Sequence, residues 1–308
     1  MNTNMFRNIK QLLLLTVSMV ITWIIVSGIL QRALGMSSGK NEGHKEAVIA
    51  LGYLFLLCCL NSIIIIWYTK RSIFSGKKLL LSVFTIVFGV MFFMTQIETI
   101  YFNYAIKMPS RFIFSTLFTG AVVSIVASIV SVKIKEQSNK FKNSIPKYES
   151  QKLPLNIFIL ALIYLIFYFI FGYFIAWQFP LLREYYTGSQ KILPFILHMK
   201  NQLSTDPWLV LFQIVRGVLW ALIGCLAVRS VAVKTSIEKY LLVGFILSVG
   251  LCTPLLLPND FMPSSVRFGH FFELLIENFL FGTISVYFLG KERNNTYKQI
   301  FYTSKHLI

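Results

Sequence analysis

Long apolar runs alternate with short polar segments along most of the chain. Eight runs are long enough to cross a bilayer as helices, because the hydrocarbon core is about 30 Å thick and a helix rises about 1.5 Å per residue. The runs cover residues 11–31, 47–68, 79–103, 112–132, 155–179, 207–228, 240–258 and 265–289. The pattern predicts an all-α polytopic membrane protein with eight transmembrane helices. The first run is longer than the apolar region of a signal peptide and no clear cleavage site follows it, so we interpret it as a retained span.

Composition agrees with a membrane protein. The 308 residues are 56% hydrophobic and 13% charged, whereas soluble domains carry about 25% charged residues. A net charge of +17 does not indicate nucleic acid here, because Lys and Arg lie mainly between the apolar runs, where they determine topology. We therefore expect the lipid bilayer, with anionic headgroups at its basic rims, as the partner, and no nucleic acid. A protein partner stays open.

The basic residues also predict an orientation. The N-terminus, the even-numbered loops and the C-terminus together carry 19 Lys and Arg residues, and the odd-numbered loops carry nine. This twofold excess places both termini in the cytoplasm. We expect the protein in a cell membrane, specifically a bacterial cytoplasmic membrane.

The chain divides at a polar connector, residues 133–154, which contains six lysines. It separates an N-terminal four-helix half, 1–132, from a C-terminal half, 155–308. "KKLLLSVFTIVFG" at 77–89 resembles "EKYLLVGFILSVG" at 238–250, "YTKRS" and "LAVRS" follow the second and sixth runs, and "MPS" precedes the fourth and eighth. These matches predict two parallel four-helix repeats. Chance similarity is the alternative, because all apolar helices look somewhat alike.

The longest external loop, residues 180–206, contains "KILPFILHMK". That stretch is apolar but too short to span the bilayer. We expect it to lie in the membrane interface or to fold over the outer mouth of the bundle.

The eighth run keeps five polar residues, which are costly in hydrocarbon. They are Arg267, His270, Glu273, Glu277 and Asn278. At 100° per residue they occupy an arc of about 140°, so one face of this helix meets protein or water. From the outer end, the two glutamates lie roughly 12 and 18 Å deep.

Two other runs offer partners for this face. Arg216 reaches a depth close to that of the span-eight glutamates, and we predict that it pairs with one of them. Glu98 lies near the outer end of span three, and we expect it near Arg267 or His270. Further polar residues complete the expected network: Gln96, Gln213, Asn259 and Asp260. The result is an outward-facing polar pocket bounded by spans three, six, seven and eight.

Three kinds of protein fit such a pocket. Excess intramembrane carboxylate and the predicted repeat favour a transporter or permease that binds a small polar or anionic solute, or a lipid headgroup. An intramembrane enzyme, acting on a lipid or peptide and possibly using a metal, is the first alternative. A non-catalytic subunit or sensor is the second, since polar residues also hold membrane helices together.

The roles follow from the side-chain chemistry. Proton exchange or acid–base chemistry is assigned to His270, Glu273 and Glu277. Substrate binding is assigned to Arg216, Arg267, Glu98, Asn278 and Gln213.

No cofactor is expected, because the chain has no phosphate-binding or dinucleotide-binding fingerprint. His270 and the two span-eight glutamates put three metal-ligand types on one helix face. Ligands on consecutive turns of a single helix cannot close comfortably around one small ion, and no span holds a second histidine. We therefore expect no metal, and whether the protein is an enzyme stays open.

Overall fold

The computed structural model describes residues 3–36, 43–137, 148, 151–233 and 235–291. Eight helices in this part of the chain are long and apolar enough to cross a membrane, which confirms an all-α polytopic membrane protein. Spans one to eight run Met5–Ala33, His44–Arg71, Gly76–Tyr101, Ser110–Glu136, Leu153–Gln178, Leu209–Arg229, Ser236–Leu256 and Ser264–Leu289. Most of the predicted connector 133–154, and residues 292–308 of the predicted C-terminal half, lie outside the described residues.

Eight crossings put both ends of the described chain on one face of the bundle, which we call the terminal face. The opposite side is the far face. The far-face segment between spans five and six contains two short helices. The first loop helix is Pro180–Thr187, and the second loop helix is Phe195–Thr205.

The second loop helix packs against the far end of span five. Tyr173 donates a hydrogen bond of 2.6 Å to the carbonyl of Leu193, and the ring centroids of Trp177 and His198 lie 4.7 Å apart. Ile196 on this helix is 75% exposed. The apolar stretch thus packs beside the far end of span five and leaves an exposed apolar side chain there; its place in the membrane interface stays a prediction.

The same pattern of contacts between spans occurs in both halves of the chain. Span one packs on spans two and four, and span three packs on span four. Span five likewise packs on spans six and eight, and span seven packs on span eight. The halves meet where span two contacts span seven and span three contacts spans six and seven. The repeat stays a prediction, and these matching contacts favour it.

The recurring stretches occupy corresponding places in this arrangement. Ser110 and Ser264, the last residues of the two "MPS" triplets, begin spans four and eight. The stretches "YTKRS" and "LAVRS" contain the ends of spans two and six, and one antiparallel bridge between Ser72 and Val231 joins these ends. There the Ile73 amide donates to the Ser230 carbonyl at 2.7 Å.

Small residues set the closest helix packing in the C-terminal half. A Cβ added to Gly282 of span eight would lie 2.8 Å from Cα of Gly244 in span seven. A Cβ added to Gly217 of span six would lie 2.8 Å from Cα of Ala161 in span five. Close backbone approach of this kind is a common source of packing energy in membranes, where lipid competes for the same apolar surfaces. It holds span seven against span eight and span five against span six.

Candidate functional site

A buried arginine–glutamate pair joins spans three and six. Arg216 is fully buried, and its two terminal nitrogens bind the two carboxylate oxygens of Glu98 at 3.1 and 2.7 Å. Nη1 also donates to Oε1 of Gln213, one turn earlier, at 2.9 Å. The planar guanidinium matches a carboxylate in this two-point geometry, and the pair offsets the cost of a charge at this depth.

Aromatic rings cover the remaining sides of the guanidinium. Its central carbon lies 5.6 Å from the ring centroid of Tyr164 and 5.7 Å from that of Phe212. Both distances fall within the range of cation–π attraction. The arginine is therefore held by charge, by an amide oxygen and by two ring faces.

Span three brings Glu98 to this position through a local irregularity. Residues Gly89–Phe93 form a π-helical turn, and regular helix resumes at Met94. A π turn adds one residue to the turn and so rotates the residues that follow it. Gly120 of span four makes room for the Phe92 ring of this turn, because a Cβ there would overlap the ring. The Glu98 side chain stays 25% exposed, so it is the accessible member of the ion pair.

A second polar chain begins on span eight and leads toward the far face. Nδ1 of His270 lies 2.6 Å from Oε2 of Glu273, and Nε2 lies 3.1 Å from the hydroxyl of Tyr186 on the first loop helix. Burial, with a smaller contribution from Glu98, raises the pKa of Tyr186, so its hydroxyl keeps its proton at neutral pH. A neutral His270 can thus donate through Nδ1 and accept through Nε2. A charged His270 donates through both nitrogens.

Glu277 lies one turn deeper than Glu273 and is 1% exposed. It interacts electrostatically with Glu273, Arg216 and Glu98. Its Oε1 has no hydrogen-bond partner among the described residues, and the same holds for Nε2 of Gln213 and Nε of Arg216. Acceptor and donor atoms therefore remain unused inside the network.

The charges of the network do not balance if every carboxylate ionises. Three carboxylates face one arginine, which leaves two negative charges with a neutral His270 and one with a charged His270. An unbalanced charge in a membrane interior costs about 2.5–3.5 kcal/mol on insertion scales. The arrangement favours holding at least one proton on the carboxylates.

Span five supplies side chains that the sequence analysis missed. Tyr164 is buried against the guanidinium, and Tyr168 interacts electrostatically with Glu98 and Glu273. A Cβ at Gly172 would lie 3.2 Å from Oε1 of Glu273. These three residues recur every four positions and so share one helix face. That spacing of two tyrosines and a glycine, in an otherwise apolar span, was the available signal.

Two sequence predictions about this site are wrong. Arg216 pairs with Glu98 rather than with a span-eight glutamate, because the π turn points Glu98 inward at its level. The expected pocket wall from span seven is replaced by span five. Glu98 was expected near Arg267 or His270, and it interacts electrostatically with His270. Arg267 instead donates to the carbonyls of Leu255 and Met262 at 3.2 and 2.7 Å.

Three of the remaining predicted polar residues have local partners. Asn278 is buried and donates to the carbonyl of Leu274 at 3.1 Å. Asn259 accepts from the backbone amides of Phe261 and Met262 and so shapes the loop before span eight. Gln96 contacts its neighbour Thr95 at 3.5 Å. Of the predicted set, the structure brings together Glu98, Gln213, Arg216, His270, Glu273 and Glu277.

The first loop helix covers the far-face end of the site. Leu182 packs on Val266 at the start of span eight, and a Cβ at Gly269 would lie 2.8 Å from Cδ1 of Leu182. Arg183, 7% exposed, donates to the carbonyls of Trp177 and Gln190 at 2.6 and 2.8 Å and fixes the ends of the helix. The network is thus enclosed by four spans and capped by one short helix.

No set of three or more His, Cys, Asp and Glu side chains in the described part of the chain is arranged to hold a metal ion. The His270–Glu273 pair lacks a third ligand of these types among the described residues. The positive charge of Arg216 also repels a cation.

Comparisons with models of protein families, with curated proteins and with solved structures gave no match to this chain.

Proposed function

We propose that this multi-pass membrane protein is a permease-like transporter that binds a small polar or anionic solute, or a lipid headgroup, and exchanges protons as it does so. One observation carries the proposal: four spans place a buried arginine, three carboxylates and a histidine in one connected group with excess negative charge. Ionisable groups this deep are costly, and a transported charge or proton is a common reason for keeping them.

The roles divide along the network. Arg216 is the only full positive charge of the group and supplies the attraction for a solute's negative or polar end. Glu273 and Glu277 hold the exchangeable protons. His270 connects Glu273 to Tyr186 at the far face, so protons have a path to water without crossing the apolar core.

We further propose that the terminal face is cytoplasmic, which makes the site outward-facing. The twofold excess of basic residues on the terminal side supports this orientation. A cleft of about 530 Å³ on that face is lined by Lys152, Lys239 and Lys291. Such a basic cleft suits the anionic headgroups of a cytoplasmic leaflet.

The test uses purified protein in proteoliposomes that enclose a pH-sensitive dye. Pools of organic acids, amino acids and sugar phosphates are applied at two external pH values, and the change of internal pH is recorded, because this readout also detects transport that moves no net charge. We expect at least one pool to drive proton movement, and we expect this movement to be lost in Arg216→Gln and Glu273→Gln. Glu46→Gln, which changes an exposed carboxylate on the far face, is the matched control. Unchanged proton movement in both folded site variants defeats the proposal.

The 2.6 Å contact between His270 and Glu273 favours one other candidate, an intramembrane enzyme that uses this pair for acid–base chemistry on a lipid or peptide. Hydrolysis of lipid or peptide substrates by the same preparations, abolished in His270→Gln, would support it. Transport without hydrolysis would remove it.

A further inference from the structure

The two terminal nitrogens of Arg216 are occupied by Glu98, the partly exposed member of the ion pair. We propose that Glu98 holds the place of a ligand's carboxylate: the site takes a small monocarboxylate, which displaces Glu98 from Arg216, and one proton enters with each ligand. This inference rests on the proposed function of the same site and deepens it.

The two members of the ion pair differ in freedom. Arg216 is fully buried and is held by Gln213 and two ring faces as well as by Glu98. The Glu98 side chain is 25% exposed and comes from the far-face end of its span. Breaking the pair therefore moves the glutamate toward water and leaves the arginine in place, with its fork open to another carboxylate.

Unused donors beside the fork support a ligand there. Nε of Arg216 and Nε2 of Gln213 are buried and have no hydrogen-bond partner among the described residues. Buried donors are satisfied in nearly all proteins, and each one left unmade costs about 1–3 kcal/mol. A carboxylate with a nearby hydroxyl or keto oxygen offers acceptors for both.

Charge conservation gives the proton count. Before exchange, the pair is the Glu98 carboxylate with the Arg216 guanidinium, and its net charge is zero. If a ligand carboxylate takes over Arg216 while Glu98 stays ionised, one negative charge is added inside the membrane, at a cost of about 2.5–3.5 kcal/mol. If Glu98 takes a proton from far-face water as it leaves, the net charge stays zero. One ligand carboxylate and one proton therefore enter together.

The surrounding carboxylates restrict the ligand to a single negative charge. Glu273 and Glu277 lie close enough to interact electrostatically with Glu98 and Arg216. A phosphate dianion would place a second charge among them and would need a second proton. Repulsion of this kind selects against dianions without any additional contact.

The charged and titratable groups around Glu98 come from spans five, six and eight and from the first loop helix. They are Arg216 of span six, Tyr164 and Tyr168 of span five, His270, Glu273 and Glu277 of span eight, and Tyr186 of the first loop helix. Only Arg216 is bonded directly to Glu98. The exchange thus changes one ion pair and leaves the His270–Glu273 pair intact.

Titration calorimetry on the full chain in nanodiscs tests the inference, with acetate, lactate and benzoate as probes and inorganic phosphate and acetamide as comparators. Titrations in buffers with different ionisation enthalpies report the protons taken up. We expect at least one monocarboxylate to bind with close to one proton per ligand, and its affinity to fall by up to about tenfold per pH unit as the pH rises. Phosphate and acetamide should bind at least tenfold more weakly.

Variants then test whether Glu98 is the group that the ligand displaces from Arg216. Glu98→Gln should raise carboxylate affinity at neutral pH by tenfold or more and remove the pH dependence. Arg216→Gln should abolish binding, and Glu46→Gln should leave it unchanged. If Glu98→Gln does not fold, the number of protons that the unmodified protein takes up per bound ligand still tests the inference. Absence of monocarboxylate binding, binding without proton uptake, or a folded Glu98→Gln that binds as the unmodified protein does would each overturn the inference.

Failure of this inference is distinct from failure of the transporter proposal. Proton-linked carboxylate binding without any ligand-driven change of internal pH in the vesicles keeps the exchange and removes transport. Proton movement driven by a neutral solute, with no carboxylate binding, keeps transport and removes the exchange.

Discussion

Arg216 and Glu98 lie 118 positions apart in the sequence, yet they form a two-point ion pair with one N–O distance of 2.7 Å inside the bundle. The arginine is fully buried and its partner is 25% exposed. The pair connects the two predicted halves of the chain through spans three and six. It is therefore a contact between the halves of the fold, and we propose that it is also part of the functional site; mutations can separate the two roles.

The ion pair predicts a thermodynamic coupling. Arg216→Gln should lower the free energy of unfolding by about 3–5 kcal/mol, because it leaves Glu98 without its cation. Glu98→Gln should cost a similar amount by stranding the arginine. The double variant should lose clearly less than the sum of the single losses, since no uncompensated charge remains. Unfolding titrations in detergent measure all three.

Arg111→Gln is the control for this cycle. Arg111 is an exposed residue at the far-face start of span four, and surface substitutions usually change stability by less than about 0.5 kcal/mol. Additive losses in the double variant would show that the pair does not act as a unit.

The Tyr186–His270 contact predicts how the first loop helix is attached. Tyr186→Phe removes the hydroxyl that lies 3.1 Å from Nε2 of the histidine, and we expect a loss of about 0.5–1.5 kcal/mol. Hydrogen exchange in 180–187 should rise, because this contact joins the helix to span eight. Tyr287→Phe, at a tyrosine that is 71% exposed, should change neither. Equal exchange in both variants would mean that Leu182 and its apolar neighbours alone hold the helix.

Much of this architecture follows from the sequence because bilayer crossing depends on local composition. Each span needs only a sufficient apolar run, and all eight were predicted within a few residues. The polar face of span eight was predicted for a similar reason, since a fixed angle per residue decides which side chains share a side.

Pairing between spans depends on geometry that composition does not encode. The π turn at Gly89–Phe93 rotates Glu98 relative to an ideal helix, so partner assignment from depth alone failed. Tyr164 and Tyr168 were missed because tyrosines are common in apolar spans, so their four-residue spacing was a weak signal until the structure placed both of them near Arg216. Arg267 was assigned to the site by its helix face, whereas its long side chain reaches back to loop carbonyls.

The close approach of spans seven and eight gives a packing prediction. Gly282→Ala should destabilise the protein by about 1–3 kcal/mol, because the new methyl group overlaps the backbone of Gly244 and forces the helices apart. Gly52→Ala in span two is the matched change, since a Cβ there meets nothing within 4 Å. Alanine favours helix over glycine by about 0.8–1.0 kcal/mol, so this second variant should be neutral or stabilising. The unfolding midpoints of Gly282→Ala and Gly52→Ala, each compared with that of the unmodified protein, test this prediction.

His198 on the second loop helix predicts a pH dependence outside the membrane. Burial against Trp177 lowers the pKa of His198 below its ordinary value of 6.5. The packed histidine is therefore neutral at a pH where the detached one already binds a proton, and proton uptake favours detachment. The helix should be most firmly docked above about pH 6.5 and should loosen as the pH falls below it.

Hydrogen exchange in 195–205 at several pH values measures this loosening. His198→Gln should remove the pH dependence, whereas His44→Gln, on the same face, should keep it. An exchange rate in the unmodified protein that follows only the intrinsic pH effect on amides would contradict the assignment to His198.

The proposed orientation gives a test on intact cells. Lys200→Cys lies on the far face and Lys291→Cys lies on the terminal face, and both lysines are exposed. A membrane-impermeant maleimide should label the first variant in intact cells and the second only after permeabilisation, because we propose that the terminal face is cytoplasmic. The four native cysteines lie within spans, so the unmodified protein gives the background. Labelling of Lys291→Cys in intact cells, with Lys200→Cys protected, would show that the orientation is opposite to the one proposed. The polar site would then open to the cytoplasm, and its exchangeable protons would come from inside the cell.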